Sequence, residues 1–452
     1  MSTSDTPAPP AVSGVPAAEQ ASAAALVSEN AGRDRARPPV TPLKPGYLAV
    51  LVLSYFALYV AWIAPTAFSL AIRVEQIDPA GKNTAVALAV GLPSLLALVS
   101  GPVVGVLSDR TTVRLGKRRT WMLVGLLLGL VGAAVVGLAG SIPVLVAGWV
   151  VAFIGYTTTG GMFVTHLGDR VPDEQQGRVA GFTGSVTQIA PILGVAMAGA
   201  FSAHAVLMFV IPAVFAFVLG LVFVVVMKDS PAERTTSRLD WKALLQGYWF
   251  NPRRHPDFAW VWISRCLIFL ALSVMSIYNV YLLRDRLGLD TSAVAALVST
   301  AGMLGIVAAV TGAMGSGALS DRLGRRKPFI VGAGLLMAVG LVTTATMQSL
   351  PQYFIGSVVT VFGVGIFGSI DQAIGLNTLP KEEGQNGRFI GIFNLANQLA
   401  QGVGPFFASL VVTLAGGDYA WVYLVAAALA VTGALLILPV RAGRTSAAAV
   451  VG

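Results

Sequence analysis

Apolar residues run through this chain in long blocks separated by short polar breaks. The blocks fall at 47–72, 84–107, 120–140, 143–166, 179–201, 204–227, 258–282, 292–316, 328–347, 352–376, 389–414 and 420–439. Each is about 20 residues long, which is what a helix needs to cross a bilayer core. The blocks are twice the length of barrel strands and do not alternate in polarity, which excludes a membrane barrel. In lipid the backbone must be satisfied internally, and a helix does this within one segment. The pattern therefore predicts an all-α membrane protein with twelve transmembrane helices.

Composition sharpens this picture. The chain has 452 residues, 55% of them hydrophobic and 11% charged, with a mean hydropathy of +0.76. Soluble domains carry about 25% charged residues, so a soluble enzyme is excluded. The single cysteine, Cys266, leaves no disulfide framework, and His166, His204 and His255 are scattered, so no metal site is expected. His166 and His204 are expected near the membrane interfaces. No phosphate-binding loop or Ser/His/Asp constellation appears, so neither an enzyme, a cofactor nor ATP-driven transport is expected. Residues 1–45 are rich in Ala, Pro and Ser. They read as a disordered tail rather than a signal peptide, lacking an apolar core with a charged leader.

The net charge of +9 sets topology. Of the 30 Lys and Arg, 25 fall in segments on the side of the chain's ends, 4 on the other side, and Arg265 lies within a span. That excess predicts both termini in the cytoplasm. The basic residues then face lipid headgroups, and no nucleic-acid partner is expected.

The two halves repeat. GVLSDRTTVRLGKRR at 105–119 follows the second block, and GALSDRLGRRKP at 317–328 follows the eighth. RVPDEQQGRVAGF at 170–182 and TLPKEEGQNGRFIGI at 378–392 form a second pair. Asp109 and Asp321 are 212 residues apart, and Pro172 and Pro380 are 208 apart. Agreement at two landmarks implies a 6+6 duplication. The expected domains are a tail at 1–45, bundles at 46–227 and 258–440, a central loop at 228–257 and a second tail at 441–452. Within the loop, SRLDWKALLQGYWF reads as an interfacial helix.

The G-x-L-S-D-R…G-R/K-R motif after span two, repeated after span eight, resembles the signature of the major facilitator superfamily. The resemblance covers about residues 46–440. The longer first copy is similar to that of the glycoside–pentoside–hexuronide and sucrose–proton symporters. The chain departs from the sodium-coupled members of that branch, because spans one to six contain no acidic residue. The resemblance implies two six-helix bundles that rock about a central cavity lined by spans 1, 4, 7 and 10.

Three groups of residues are candidates for function. Gly105, Asp109, Arg110, Gly116, Arg118 and Arg119, with Gly317, Asp321, Arg322, Gly324, Arg325 and Arg326, form the signature loops. Their carboxylates can pair with loop cations or face a helix N-terminus, and so gate one side. Arg265 and Asp371 are the charges inside spans. A charge at membrane depth costs about 3 kcal/mol or more unless paired. Both lie roughly 10–12 Å in from the same face at 1.5 Å per residue. An ion pair is expected, serving as a proton-coupling switch or as a static staple. Tyr59, Trp62, Tyr156, Thr158, Gln188, Tyr278, Asn279, Gln372, Asn394, Asn397 and Gln398 are expected to line the cavity, where rings and amides suit a polyhydroxyl ligand. Polar side chains can also serve as glue between helices.

The expectation from sequence is therefore a monomeric secondary transporter of a small solute in a bacterial-type inner membrane. A sugar or glycoside coupled to H+ fits best. Drug or metabolite export on the same scaffold is the alternative, and a sensor without flux is the third reading.

Overall fold

The computed structural model describes residues 43–227, 229, 250–380 and 386–440. Among these, every regular element is helical. The first span is α1, Pro45–Ile77. It is followed by α2 (Lys82–Asp109), α3 (Lys117–Leu138), α4 (Ile142–Arg170), α5 (Asp173–Ala200) and α6 (Ala205–Val226). The second half has α7 (Pro256–Ile277), continued beyond a break at Tyr278 by a short helix, Asn279–Leu287. Then come α8 (Thr291–Leu323), α9 (Lys327–Ala345), α10 (Leu350–Thr378), α11 (Asn386–Leu414) and α12 (Ala420–Leu435). The interfacial helix expected in the central loop lies outside the described residues, apart from Phe250.

Local chemistry sets several boundaries. Pro65 has no N–H to give, and α1 widens there into a π-type turn in which Leu70 N–H reaches the Pro65 carbonyl. Asp290 caps α8 by accepting from Ala293 N–H, and this bond, with the Ser292 hydroxyl, holds its carboxyl below the usual range. Gly116 and Gly324 precede α3 and α9 with φ of 107° and 61°, the left-handed region that favours glycine.

Packing repeats between the halves. In the first, α3 packs on α4 and α6, α2 on α4, and α1 on α5 and α6. In the second, α9 packs on α10 and α12, α8 on α10, and α7 on α11 and α12. The halves meet through α2 against α11 and α5 against α8. The close approaches use small residues, as membrane helices do without a hydrophobic drive between them. A Cβ on Gly132 would lie 2.6 Å from the Gly148 carbonyl, and one on Gly340 would lie 2.6 Å from the Gly356 carbonyl, 208 residues further on. Large apolar side chains cover the outside, among them Leu138, Val225 and Leu414, exposed at 72%, 67% and 79%. Those faces are matched to lipid.

Gly312 tests this packing. A Cβ there would lie 2.6 Å from the Phe362 carbonyl of α10, whereas Gly315 on the same helix has open space. Gly312→Leu is expected to cost about 3 kcal/mol through overpacking. It should lower the melting temperature in detergent, and Gly315→Leu should leave it unchanged.

Candidate functional site

For the chain's ends and signature loops to share one side, the odd-numbered helices must run away from that side. We call it the tail face and the opposite side the far face. At the far face the halves are locked together. Glu75 at the end of α1 pairs with Lys82 at 2.7 Å in its own half and with Arg284 from the other. Tyr281 donates to the Ala71 carbonyl at 2.7 Å, and Lys82 sits 4.8 Å above its ring. Tyr278 donates to the Asn83 carbonyl at 2.8 Å, and Tyr419 to the Asn83 side chain at 2.9 Å. The Tyr278 and Tyr419 rings stack at 5.5 Å. Burial pushes the Tyr419 hydroxyl, in the turn before α12, up to about 12, so it remains a donor at ordinary pH.

At the tail face the signature loops, among the described residues, make ion pairs within their own halves. Arg118 bridges to Asp109 at 2.9 Å, and Arg326 to Asp321 at 3.6 Å. Each Arg lies two residues after its positive-φ glycine, so the two loops are built alike. The next residue also matches. Arg119 donates to the Val224 carbonyl at the end of α6, and Lys327 to the Leu438 carbonyl just beyond α12. Asp229 accepts from the Arg118 and Arg119 N–H groups and so caps α3. Arg326 also donates to the Ala373 carbonyl of α10 at 3.1 Å.

Two residues before Ala373 stands Asp371. It forms a buried ion pair with Arg265 of α7, and the two residues are 4% and 6% exposed. The rings of Phe393 and Phe269 lie 3.9 and 4.9 Å from the guanidinium carbon.

The internal repeat gives this pair its meaning. Ser264 donates to the Gly433 carbonyl of α12, and Ser54 makes the same bond to the Leu219 carbonyl of α6. Ser54 is thus the counterpart of Ser264, and Tyr55 the counterpart of Arg265, at an offset of 210. The 208 offset of α4 and α10 places Phe163 opposite Asp371. The Tyr55 and Phe163 rings do meet, edge-on at 5.4 Å. Tyr55 also lies 4.8 Å from Tyr59, just as Arg265 lies over Phe269. One half therefore holds an aromatic pair where the other holds a charged one.

The amides follow the same division. A helix turns about 100° per residue. Asn394, Gln398 and Gln401 are exposed on one side of α11, opposite the lipid-facing Val403, Leu410 and Leu414. On α10, Gln372 is exposed between the side carrying Asp371, which meets α7, and that carrying Ser369, which meets Ser316 of α8. Gln188 is exposed one turn tailward of Ile192, whose carbonyl accepts from Ser299 of α8. Tyr59 and Trp62 are partly exposed on α1, and Trp62 packs edge-on against Phe153 of α4 at 5.7 Å.

Four expected cavity residues sit elsewhere. Tyr156 is 1% exposed and donates to the Gly129 carbonyl, which places it between α3 and α4. Tyr278 belongs to the far-face lock. The Asn279 amide is used within its half, accepting from Tyr423 at 3.0 Å and donating to Tyr353 at 3.4 Å. Thr158 is 6% exposed, enclosed among helices. For Tyr156, Tyr278 and Asn279 a neighbouring helix claims the polar group. His166, near the tail-face end of α4, is 2% exposed, with its Nε2 at 2.5 Å from the hydroxyl of Tyr47 at the start of α1. The sequence reading missed Glu75, Lys82, Asn83, Arg284 and Tyr419 as a group. A sequence signal was present for two of them: the far-face segments hold only four cations, Arg73, Lys82, Arg284 and Arg286, and Lys82 and Arg284 belong to the lock.

A family model described as Major Facilitator Superfamily matches residues 47–316 and 305–450. Over 130 residues the chain is 32% identical to an uncharacterized MFS-type transporter, YfiU, of Bacillus subtilis (strain 168). That stretch is 28% of this chain and only 24% of the relative's length. Among solved structures, a bacterial homolog of the human lysosomal transporter Spinster, inward-facing and unoccupied, aligns over 90% of this chain and 100% of its own. It has a TM-score of 0.67 at 16% identity. The nucleoside transporter NupG scores 0.69 at 14% identity, covering 87% and 99% of the two chains. A D-xylose–proton symporter scores 0.66 at 15%, covering 88% and 98%.

The far-face lock can be probed without a ligand. Ala295 is 2% exposed at the α5–α8 seam. Place a cysteine there after Cys266→Ser and treat it with a membrane-impermeant maleimide. Glu75→Gln with Tyr278→Phe removes about 1.5 kcal/mol of bonding, which shifts an opening equilibrium about tenfold. Labelling should speed up by that factor; an unchanged rate would show that these contacts do not hold the seam.

Proposed function

Because the chain belongs to the major facilitator superfamily, whose members are membrane transporters rather than enzymes, we propose that it imports a sugar or glycoside together with a proton. Its place is the plasma membrane, as a monomer with the tail face toward the cytoplasm. With the far-face contacts made, the structure then corresponds to the inward-facing state.

The observation that carries this reading is the buried Arg265–Asp371 pair, set where the other half has Tyr55 and Phe163. A static fold would be served as well by the aromatic version. A buried ion pair adds little net stability over well-packed apolar groups. The charged version adds a site that can take up a proton. Protonating Asp371 removes the partner of Arg265 and releases α7 from α10. Arg326 bonds the backbone of α10 two residues from Asp371, so the signature loop of that half moves with the helix. Proton binding and the gating loop thus act on one element. An alternating-access cycle needs such a two-state element biased by both ligands.

The proposed ligand class is supported by the side chains that the two halves leave exposed. Tyr59 and Trp62 in one half offer ring faces, and the amides on α10 and α11 in the other offer donors and acceptors. A sugar has an apolar ring face and a polar edge, which fits that division. Export of an aromatic drug is a second reading, favoured by the continuous Tyr55, Tyr59, Trp62 and Phe153 ring contacts.

Proteoliposomes with an inside-alkaline gradient test the coupling. Labelled D-xylose, maltose, sucrose and methyl β-D-glucoside should include at least one solute that accumulates. Asp371→Asn should abolish gradient-driven accumulation and retain exchange of that solute, with the melting temperature little changed. Accumulation that survives in Asp371→Asn makes the pair a staple. Uptake of none of the four overturns the sugar reading.

A further inference from the structure

The ion pair leaves one polar atom over, and its neighbour on α11 leaves another. Arg265 gives a terminal nitrogen to Asp371, and two rings cover its guanidinium. Its Nε is buried and finds no partner among the described residues. The Asn397 Oδ1 atom is also buried and unpartnered. Asn397 follows Phe393 by four residues, so it shares the face of α11 whose ring caps Arg265 and lies one turn further from the tail face. The seam between α7 and α11 is pinned on both sides of this level. Trp262 donates to the Ile392 carbonyl at 2.8 Å, and Ser273 packs beneath Gly404.

A buried donor or acceptor left unmet costs about 1–3 kcal/mol. Two such costs on facing helices at neighbouring levels of the α7–α11 seam, one a donor and one an acceptor, call for a complementary group. A hydroxyl fills both roles at once, accepting from N–H and donating to a carbonyl. A carboxylate can only accept and would leave Oδ1 unmet; a quaternary ammonium offers neither. We propose that Arg265 Nε and Asn397 Oδ1 form a subsite for one hydroxyl of the transported solute. This rests on the reading of the protein as a carrier of polyhydroxyl solutes. Binding and proton uptake then meet on one guanidinium, since the ligand takes its Nε while Asp371 holds its terminal nitrogen. The subsite also excludes the plainly anionic and plainly cationic solutes that a lone Arg–Asp pair would admit.

The test is isothermal titration of the purified full-length protein with D-xylose, maltose, sucrose and methyl β-D-glucoside, followed by the monodeoxy analogues of whichever binds. The variants are Asn397→Leu, close to isosteric, and Arg265→Lys, which keeps the charge for Asp371 and has no Nε donor. At least one sugar should bind the wild type. Either variant should weaken it tenfold or more, and Asn397→Leu should keep or raise the melting temperature because it removes an unmet acceptor. One deoxy analogue should bind the wild type tenfold more weakly and lose nothing further in the variants. Unchanged sugar affinity in a folded variant overturns the subsite even if proton-driven uptake is intact. Binding that depends on Asn397 without gradient-driven uptake keeps the subsite and overturns the coupling. Failure of all four sugars to bind overturns both. If Asn397→Leu does not fold, Arg265→Lys with the deoxy series decides alone.

Discussion

Every polar group in the spanning part of this protein must find its partner inside the protein, because lipid offers none. The architecture descends from that constraint. The backbone meets it by coiling into helices. Serine and threonine meet it by bonding back to their own helix, as Thr157, Thr360 and Thr378 do. Helices then approach through glycine, where backbone can meet backbone, as between α3 and α4 and again between α9 and α10. Against that general rule a few groups stand out among the described residues: a buried ion pair, a row of exposed amides opposite a lipid-facing stripe, and buried atoms without a hydrogen-bond partner, which include Ser69 Oγ and Trp149 Nε1 as well as Arg265 Nε and Asn397 Oδ1.

Duplication supplies an internal control for these exceptions. The halves share their packing pairs, their signature-loop bonds and the serine that ties the first helix of each to its last. Where they agree, the reason is the fold. Where they differ, the fold does not require the difference. Tyr55 with Phe163, and Arg265 with Asp371, occupy equivalent positions with opposite chemistry. The amides Asn394 and Asn397 correspond to Gly184 and Thr187 at the same offset of 210, while Gln398 and Gln188 match. The charge and most of the amides are thus concentrated in the C-terminal half, and the exposed rings of α1 in the other.

Contacts across the two faces are unequal. The far face joins the halves through the hydroxyls of buried tyrosines and through Glu75 and two cations, whose partly exposed ion pairs contribute modestly. Among the described residues, two ion pairs of the tail face lie within one half each, Arg118 with Asp109 and Arg326 with Asp321, whose carboxylates are exposed at 59% and 72%. A lock of several weak bonds at one end is suited to reversal, since no single bond dominates it. Bonding of Arg326 to the α10 backbone connects the loops of the other end to the buried pair.

Much of this was legible in the sequence, because it follows from one-dimensional rules. Block length fixed the number of spans, and a repeated motif fixed the duplication. The cost of charge at membrane depth singled out Arg265 and Asp371, which the structure joins. Facing was not legible. Tyr156, Thr158, Tyr278 and Asn279 read the same in sequence as Tyr59 and Gln372, since outside α11 no polar stripe marks the inner face of a span. Only tertiary packing decides which polar group is claimed by a neighbouring helix and which is left open. Gly129 claims Tyr156, Asn83 claims Tyr278, and Tyr353 and Tyr423 claim Asn279. The far-face lock was hidden for the same reason, because its members come from four separate segments that only folding brings within a hydrogen bond of one another.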